Sequence, residues 1–335
     1  MIILRGSIRA ISPLHIGTVG TGNYHPTLPY IPARTIRGML GNYLFNEKRD
    51  LFEKLRIDDD ENPSIHFKPA LPEGSVASPL ILRWCKRCGK LIEERDKDCP
   101  ECLQEGKKRG GLMLEESLSS KKFRGPEIRS SIDTKCPITR RGHTSPGERY
   151  SLSPYNIGAL LPGSEFDLRC VLPGEYVDDL KDAFREAGIF YGIGGFRSKG
   201  YGMVEFDFTG EEGIDGYIEQ RSSEFDGSPL LMVLNAPAIF EEEGKHVIGF
   251  REKLLESYLG DHRIMRQVFS EDRARGWEIK GGYRLGKIIP ATGMGSSALI
   301  EVDPVRAARA EVYGIGNMRH IYGDVYFRRW DYGAI

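Results

Sequence analysis

The 335-residue chain is 40% hydrophobic, enough to fill two cores rather than one. Its 47 basic and 48 acidic residues give a formal net charge of -1, which excludes a globally basic nucleic-acid binder and confines any such surface to a local patch. No apolar run approaches the roughly 20 residues needed to span a bilayer, and the start Met1-Ile2-Ile3-Leu4-Arg5-Gly6 lacks a signal-peptide layout, so the expectation is a cytoplasmic protein with no membrane partner.

Leu4, Gly6, Ile8 and Ala10 alternate with Arg5, Ser7 and Arg9, the pattern of a strand with one buried and one polar or basic face, and Ser12-Pro13-Leu14 ends it. A Gly-rich polar loop over 17–27 follows, containing His25 but no Asp or Glu. Pro29-Tyr30-Ile31-Pro32 then leads into a helix whose apolar stripe is Ile36, Met39, Leu40, Tyr43 and Leu44. With Thr35 as its cap, Arg34 stands just before this helix and Arg37 in its first turn. First turns favour anionic side chains, so cations there suggest an external anion, against the plainer alternative of a solvated basic face.

Cys85-Lys86-Arg87-Cys88 and Cys99-Pro100-Glu101-Cys102 are two CxxC knuckles separated by a short, charged stretch. Four thiolates so spaced suit a tetrahedral zinc with no open position, hence a structural one; a disulfide pair is the alternative, disfavoured in the cytoplasm. The metal would fold an insertion over 83–109 that is too polar to build its own core. Lys86, Arg87, Lys90, Lys107, Lys108 and Arg109 make this module a candidate RNA or subunit contact, again against a solvated surface. Cys136 and Cys170 lie outside the pattern.

Val177, Leu180, Ala183, Phe184 and Ala187 recur at helical spacing just before a Gly-rich stretch, Tyr191 to Phe206, that carries Gly192, Gly194, Gly195, Arg197, Ser198, Lys199, Gly200 and Gly202. It is not a dinucleotide fingerprint, because Arg197 takes the place of the third glycine, and not a Walker loop, because Tyr201 follows Gly200. The alternation after Gly202 predicts a strand, so the unit is helix, glycine loop, strand. It recurs at the C-terminal end: Asp303 and Pro304 open a short helix that leads into Tyr313, Gly314, Ile315, Gly316 and Arg319, in register with Tyr191, Gly192, Ile193, Gly194 and Arg197. Tyr322 and Gly323 then match Tyr201 and Gly202 after a one-residue deletion, so the chain holds an internal duplication. The second strand exit, Asn235-Ala236-Pro237, repeats the proline of the first. The second loop keeps Arg319 but has Asn317, Met318, His320 and Ile321 where the first has Gly195, Phe196, Ser198 and Lys199, and is expected to serve structure or docking rather than RNA.

Strand, loop, helix and then helix, glycine loop, strand outline an α+β chain of two ferredoxin-like domains, 1–220 and 221–335, the first carrying the zinc-ribbon-like insertion. Residues 29–38, the loop 194–202, and Ile138-Thr139-Arg140-Arg141-Gly142-His143-Thr144 with its continuation to Phe166 together resemble the signatures of the RAMP superfamily of CRISPR-associated proteins. Two such domains with a cysteine-bearing insertion look most like the two-domain subunit of subtype III-D effector complexes. The resemblance implies a non-catalytic subunit of a type III ribonucleoprotein in antiviral defence. Such a subunit holds the 5′ tag of the CRISPR guide RNA and nucleates assembly beside other RAMP backbone subunits and the large polymerase-like subunit. Carried over by motif, Arg34, Arg37, Arg140, Arg141, His143, Gly194, Gly195, Phe196, Arg197, Ser198, Lys199 and Tyr201 are the implied RNA contacts. Cations and hydroxyls suit phosphates, glycine N–H groups suit an anion nest, and Phe196 or Tyr201 could stack on a base or simply pin the loop. Some RAMP relatives cleave RNA through an acidic residue in the first loop or through a histidine. The first loop here has no acid, which leaves His15 and His25 as the residues for an alternative reading, a RAMP endoribonuclease that processes precursor guide RNA.

Overall fold

The computed structural model describes residues 1–18, 22–59, 62–93, 96, 98–108, 111–136, 154–225, 229–274, 277–278, 284–285 and 288–332. The first half runs β1 (Ile2–Ala10), α1 (Ala33–Glu47), β2 (His66–Phe67), β3 (Glu165–Leu172), α2 (Val177–Phe190) and β4 (Val204–Gly213). After a connecting helix α3 (Ile214–Ser223), the second half repeats the plan with β5 (Leu230–Leu234), α4 (Glu252–Leu259), β6 (His262–Val268), β7 (Ser297–Val302), α5 (Pro304–Tyr313) and β8 (Val325–Arg329). The strand orders are β4-β1-β3-β2 and β8-β5-β7-β6, every pairing antiparallel. In each half the first strand therefore lies between the third and the fourth.

The alternation in β1 sends Leu4, Ile8 and Ala10 into the core beneath α1 and α2, where Ile36, Leu40, Leu44, Leu180, Phe184 and Ala187 are buried. The opposite face carries Arg5 and Arg9, paired with Glu212 (2.9 Å) and Glu205 on β4, so the cations expected on this face are already neutralised. Helix α1 begins at Ala33, with Pro32 as its N-cap and the Thr35 N–H bonded to the Pro32 carbonyl (2.9 Å). This corrects the expected Thr35 cap: proline's fixed φ sets the helix start three residues earlier. Arg34 thus stands inside the first turn. At α5 the expected cap is present, with the Arg306 N–H donating to Asp303 Oδ1 (2.9 Å) and Pro304 in the first helical position.

All five residues of β5 are buried, because the second sheet is covered on both faces. Leu230, Met232 and Leu234 face the helices, while Leu231 and Val233 join Leu299, Tyr326 and Trp330 against Val76, Ala77, Ile81, Leu82, Leu91 and Met113 of the first half. The cysteine-bearing insertion is therefore packed down onto the second sheet. Strand Leu82–Trp84 pairs with Leu91–Glu93 and Lys107–Lys108. The Ala77 N–H bonds Asn235 Oδ1 (2.9 Å), the Ile81 N–H bonds Ser297 Oγ (3.0 Å), Tyr326 OH donates to the Ala77 carbonyl (2.9 Å), and Arg266 pairs with the buried Glu93. What the composition left as a module too polar for a core of its own borrows its core from the other half.

Polar groups also join the halves. Lys68, 3% exposed, lies 2.8 Å from Asp324, and the Phe67 N–H bonds the His320 carbonyl (2.7 Å). Buried Glu311 on α5 accepts from Arg221 (2.7 and 2.9 Å), Tyr217 OH (2.9 Å) and the Phe327 N–H (2.6 Å). A buried carboxylate with its acceptor sites filled this way tolerates the loss of water that an unpaired one would not.

Candidate nucleic-acid interface and metal centre

The glycine loop between α2 and β4 has positive φ at Gly192, Gly194, Phe196, Gly200 and Gly202. Four of its amides are spent inside the chain: Gly195 N–H donates to the His15 carbonyl (2.9 Å), Gly202 N–H to Pro13 (2.9 Å), Ile193 N–H to Gly202 (2.7 Å) and Gly200 N–H to Arg197 (3.1 Å). A Cβ on Gly194 would stand 2.3 Å from the His15 carbonyl oxygen, and one on Gly202 2.3 Å from that of Ile193. Gly194 is thus required by the chain's own strand exit at 13–16, while Gly195 serves it through its amide. The Gly195, Gly200 and Gly202 amides do not form the anion nest expected of them. Gly202→Ala should cost about 3 kcal/mol, from backbone overlap and a left-handed φ together, whereas Gly200→Ala, which meets nothing within 4 Å, should cost about 1 kcal/mol; urea unfolding of both variants checks the difference.

The second loop repeats three of these four bonds. Asn317 N–H donates to Ile239 (2.7 Å), Gly323 N–H to Pro237 (2.9 Å) and Ile315 N–H to Gly323 (3.0 Å), with positive φ at Gly314, Gly316, Met318 and Gly323. Pro237 stands to this loop as Pro13 does to the first, so the duplication includes the strand exits as well as the loops.

At the first loop the side chains build an aromatic platform. Phe196 lies 6.4 Å from Tyr155 in a stacked arrangement and 4.9, 5.9 and 6.2 Å from His15, His25 and Tyr201. Lys199 bonds Tyr155 OH and sits 5.0 Å from the Tyr155 ring and 5.4 Å from that of Phe196. Tyr201 is buried and gives its hydroxyl to Asp133, and Lys135 lies 5.5 Å over its ring. Burial first, and then that carboxylate, push the Tyr201 phenol up to about 12, so it stays a neutral donor. Ser198 and Lys199 are exposed. Tyr155, Lys135 and Asp133 come from the paired strands Ser130–Lys135 and Tyr155–Leu160 and were missed in the sequence, where only cross-strand register brings them to the loop.

Arg197 is exposed but donates through Nη1 to the Tyr191 carbonyl (2.9 Å) at the end of α2, a cation on a helix C-terminus. Arg37 is half-buried and donates to the Ile57 carbonyl (2.8 Å), and Arg34 lies 3.5 Å from Tyr322 OH of the second loop, so both are drawn to groups of the chain itself. Arg140, Arg141 and His143 lie outside the described residues, as do Arg109 and part of the insertion. His15 is buried, its Nδ1–H donating to the Gly158 carbonyl (2.8 Å), and burial chiefly lowers its pKa. His25, on the short strand Tyr24–His25, is exposed.

The four knuckle cysteines converge. Their Sγ atoms all lie within 4.8 Å of one another, Cys88 and Cys99 at 3.6 Å, against the roughly 3.8 Å that a tetrahedral zinc with bonds of about 2.3 Å sets between ligands. The knuckles match in backbone: Gly89 N–H bonds the Cys85 carbonyl and Leu103 N–H that of Cys99 (2.8 Å each), with positive φ at Gly89 and Leu103. The donor set and spacing fit zinc; Cys85, Cys88, Cys99 and Cys102 would hold it, and its part would be structural.

A family model described as the RAMP superfamily matches residues 7–205. No curated protein matches the chain. Among solved structures, the chain is similar to one of a Type III-B Cmr-beta complex bound to cognate target RNA and AMPPnP, at 15% identity over 89% of this chain and 86% of that one with a TM-score of 0.47. It is similar to a Cas6 product complex at 9% identity over 98% and 100%, with a TM-score of 0.44. For a further Type III-B Cmr-beta structure bound to cognate target RNA the identity is 16%, the TM-score 0.36, and the chain covers 63% of its own length and 60% of that chain. No helix among the described residues is long and apolar enough to cross a membrane.

Proposed function

The chain belongs to the RAMP superfamily, and on that premise we propose that it is a non-catalytic, RNA-binding subunit of a type III CRISPR ribonucleoprotein, of the two-domain subtype III-D kind. It holds the 5′ tag of the guide RNA and fixes the register from which other RAMP backbone subunits and the large polymerase-like subunit assemble. Its two domains, 1–220 and 221–335, are ferredoxin-like; the repeated strand–helix–strand–strand–helix–strand order and the matching sheet orders support this reading. The insertion over 83–109 is zinc-ribbon-like.

The observation that carries the function is the platform of Phe196, Tyr155 and Lys199 at the tip of the glycine loop. Aromatic rings offer faces to unpaired bases whatever their sequence, and the ammonium beside them pairs with phosphate. Arg197 and Ser198 flank it, and Arg140, Arg141 and His143 are proposed contacts on the segment between the two strands that supply Tyr155 and Lys135. The test is a salt-titrated binding series of the full chain with tag-containing guide RNA, comparing wild type with Lys199→Ala and Phe196→Ala; unchanged affinity and salt slope in both variants would overturn the reading.

One observation favours the endoribonuclease as a second reading: His25 is exposed, with its ring 5.8 Å from Tyr155 and 5.9 Å from Phe196, so an imidazole stands where RNA would lie. Among the described residues it has no hydrogen-bond partner such as the carbonyl that orients His15. A metal-independent cut in repeat RNA that disappears in His25→Ala would favour this reading over the scaffold.

A further inference from the structure

The second glycine loop borders a cavity of about 320 Å³ whose charged lining is cationic, Arg306 and Arg309 from α5 and Arg319 from the loop, with His66 from β2 beside them and Tyr258 and Tyr313 as its aromatic walls. Among the described residues no carboxylate lines it. Arg306, Arg309 and Tyr313 fall at i, i+3 and i+7 on α5 and so share one face. The three arginines are exposed, and among the described residues none makes an ion pair. The Arg319 guanidinium instead lies 5.7 Å from the Tyr258 ring and 6.0 Å from that of Tyr313, and the His66 ring meets Tyr313 edge-on at 5.2 Å.

This differs from the first loop in where its arginine points. Arg197 is turned back onto the end of its own helix, but Arg319, its counterpart, faces a concavity with two further guanidinium groups. Guanidinium groups gathered without a carboxylate repel one another until an anion arrives, and planar forks beside aromatic faces suit a phosphate with a base attached better than a bare anion. The neighbourhood is electropositive: burial first, then Lys68, Arg319 and His320, hold His66 down to about 3, so it enters as a neutral imidazole.

We propose that this cavity is a second single-stranded RNA site, in which Arg306, Arg309 and Arg319 hold successive backbone phosphates and an unpaired base lies against Tyr258 and Tyr313. It rests on the RNA-binding reading above and extends it to the half of the chain whose loop lacks the Ser–Lys pair. The second loop then serves RNA as well as structure.

The test uses the full chain and a fluorescein-labelled 20-nucleotide oligouridine, read by anisotropy from low to moderate salt. The proteins are wild type, Lys199→Ala, the triple variant R306A/R309A/R319A, and the single variant Arg309→Glu, which alters only the exposed face of α5. The triple variant should weaken binding about tenfold or more and flatten the log–log salt slope by about 2, since each single-strand phosphate contact contributes roughly 0.7. Arg309→Glu should weaken it in the same direction, and melting temperatures should stay at the wild-type value. If both arginine variants bind with wild-type affinity and slope while Lys199→Ala is weakened, the second site is overturned and the first stands. If wild type does not bind the RNA, the RNA-binding reading falls and this site falls with it.

Discussion

Chelation of the metal, or replacement of Cys85 and Cys99 by serine, should lower the melting temperature of the whole chain by roughly 10 °C and open an apolar surface that binds a hydrophobic dye. The reason is where the insertion lies. Both cysteines are buried, and the three short strands around them have 2 or 3 residues each, too short to hold together alone. Once they loosen, Leu82 and Leu91 leave Leu231, Val233, Leu299, Tyr326 and Trp330, and the second sheet loses the cover of one face. Each large apolar side chain returned to water costs about 1.5–3 kcal/mol, and the buried Arg266–Glu93 pair would be lost as well. Structural zinc in isolated finger peptides is worth roughly 10–16 kcal/mol, an upper bound here because Tyr326, Asn235 and Ser297 also hold the module. Protein purified without zinc, with an unchanged melt in the serine variants, would contradict this role for the knuckles.

Truncating Phe196 should weaken guide RNA binding by about 1–3 kcal/mol, roughly 5- to 150-fold, with little change in salt slope, because stacking releases no counterion. Lys199→Ala should act the other way round, with a smaller loss of affinity and a slope flatter by about 0.7. The two signatures distinguish a stacked base from a phosphate contact at neighbouring side chains. Arg197→Ala confounds them, since it also removes the donor on the Tyr191 carbonyl and should cost about 1 kcal/mol of stability; it is the less informative variant although the motif puts it first.

The repeated loop was legible because backbone geometry constrains sequence tightly: Gly194 and Gly202, and their copies Gly316 and Gly323, stand where a Cβ would overlap a carbonyl, so those positions survive divergence. The four cysteines were legible for a similar reason, two matched turns converging on one point. The purpose of the glycines was not, because a close backbone approach reads the same whether the neighbour is a ligand or the strand exit at His15. Nor did the pattern show that Arg5 and Arg9 are neutralised by Glu212 and Glu205, more than 190 residues away in sequence. The platform depended on strands Ser130–Lys135 and Tyr155–Leu160, whose register sets Tyr155 opposite Lys135, and no local signal gives that pairing. The helix start at Ala33 was misplaced because a threonine cap and a proline cap compete within three residues.

The most direct measurement is photocrosslinking of the full chain to a guide RNA carrying 4-thiouridine in its 5′ tag, with the adducts mapped by mass spectrometry. Adducts on Phe196, Lys199 and Tyr155 are the predicted result, since these side chains form an aromatic and cationic surface at the exposed tip of the first loop. Adducts confined to the ion-paired face of β1 around Arg5 and Arg9, or to the cysteine module, with none on the loop, would contradict the account.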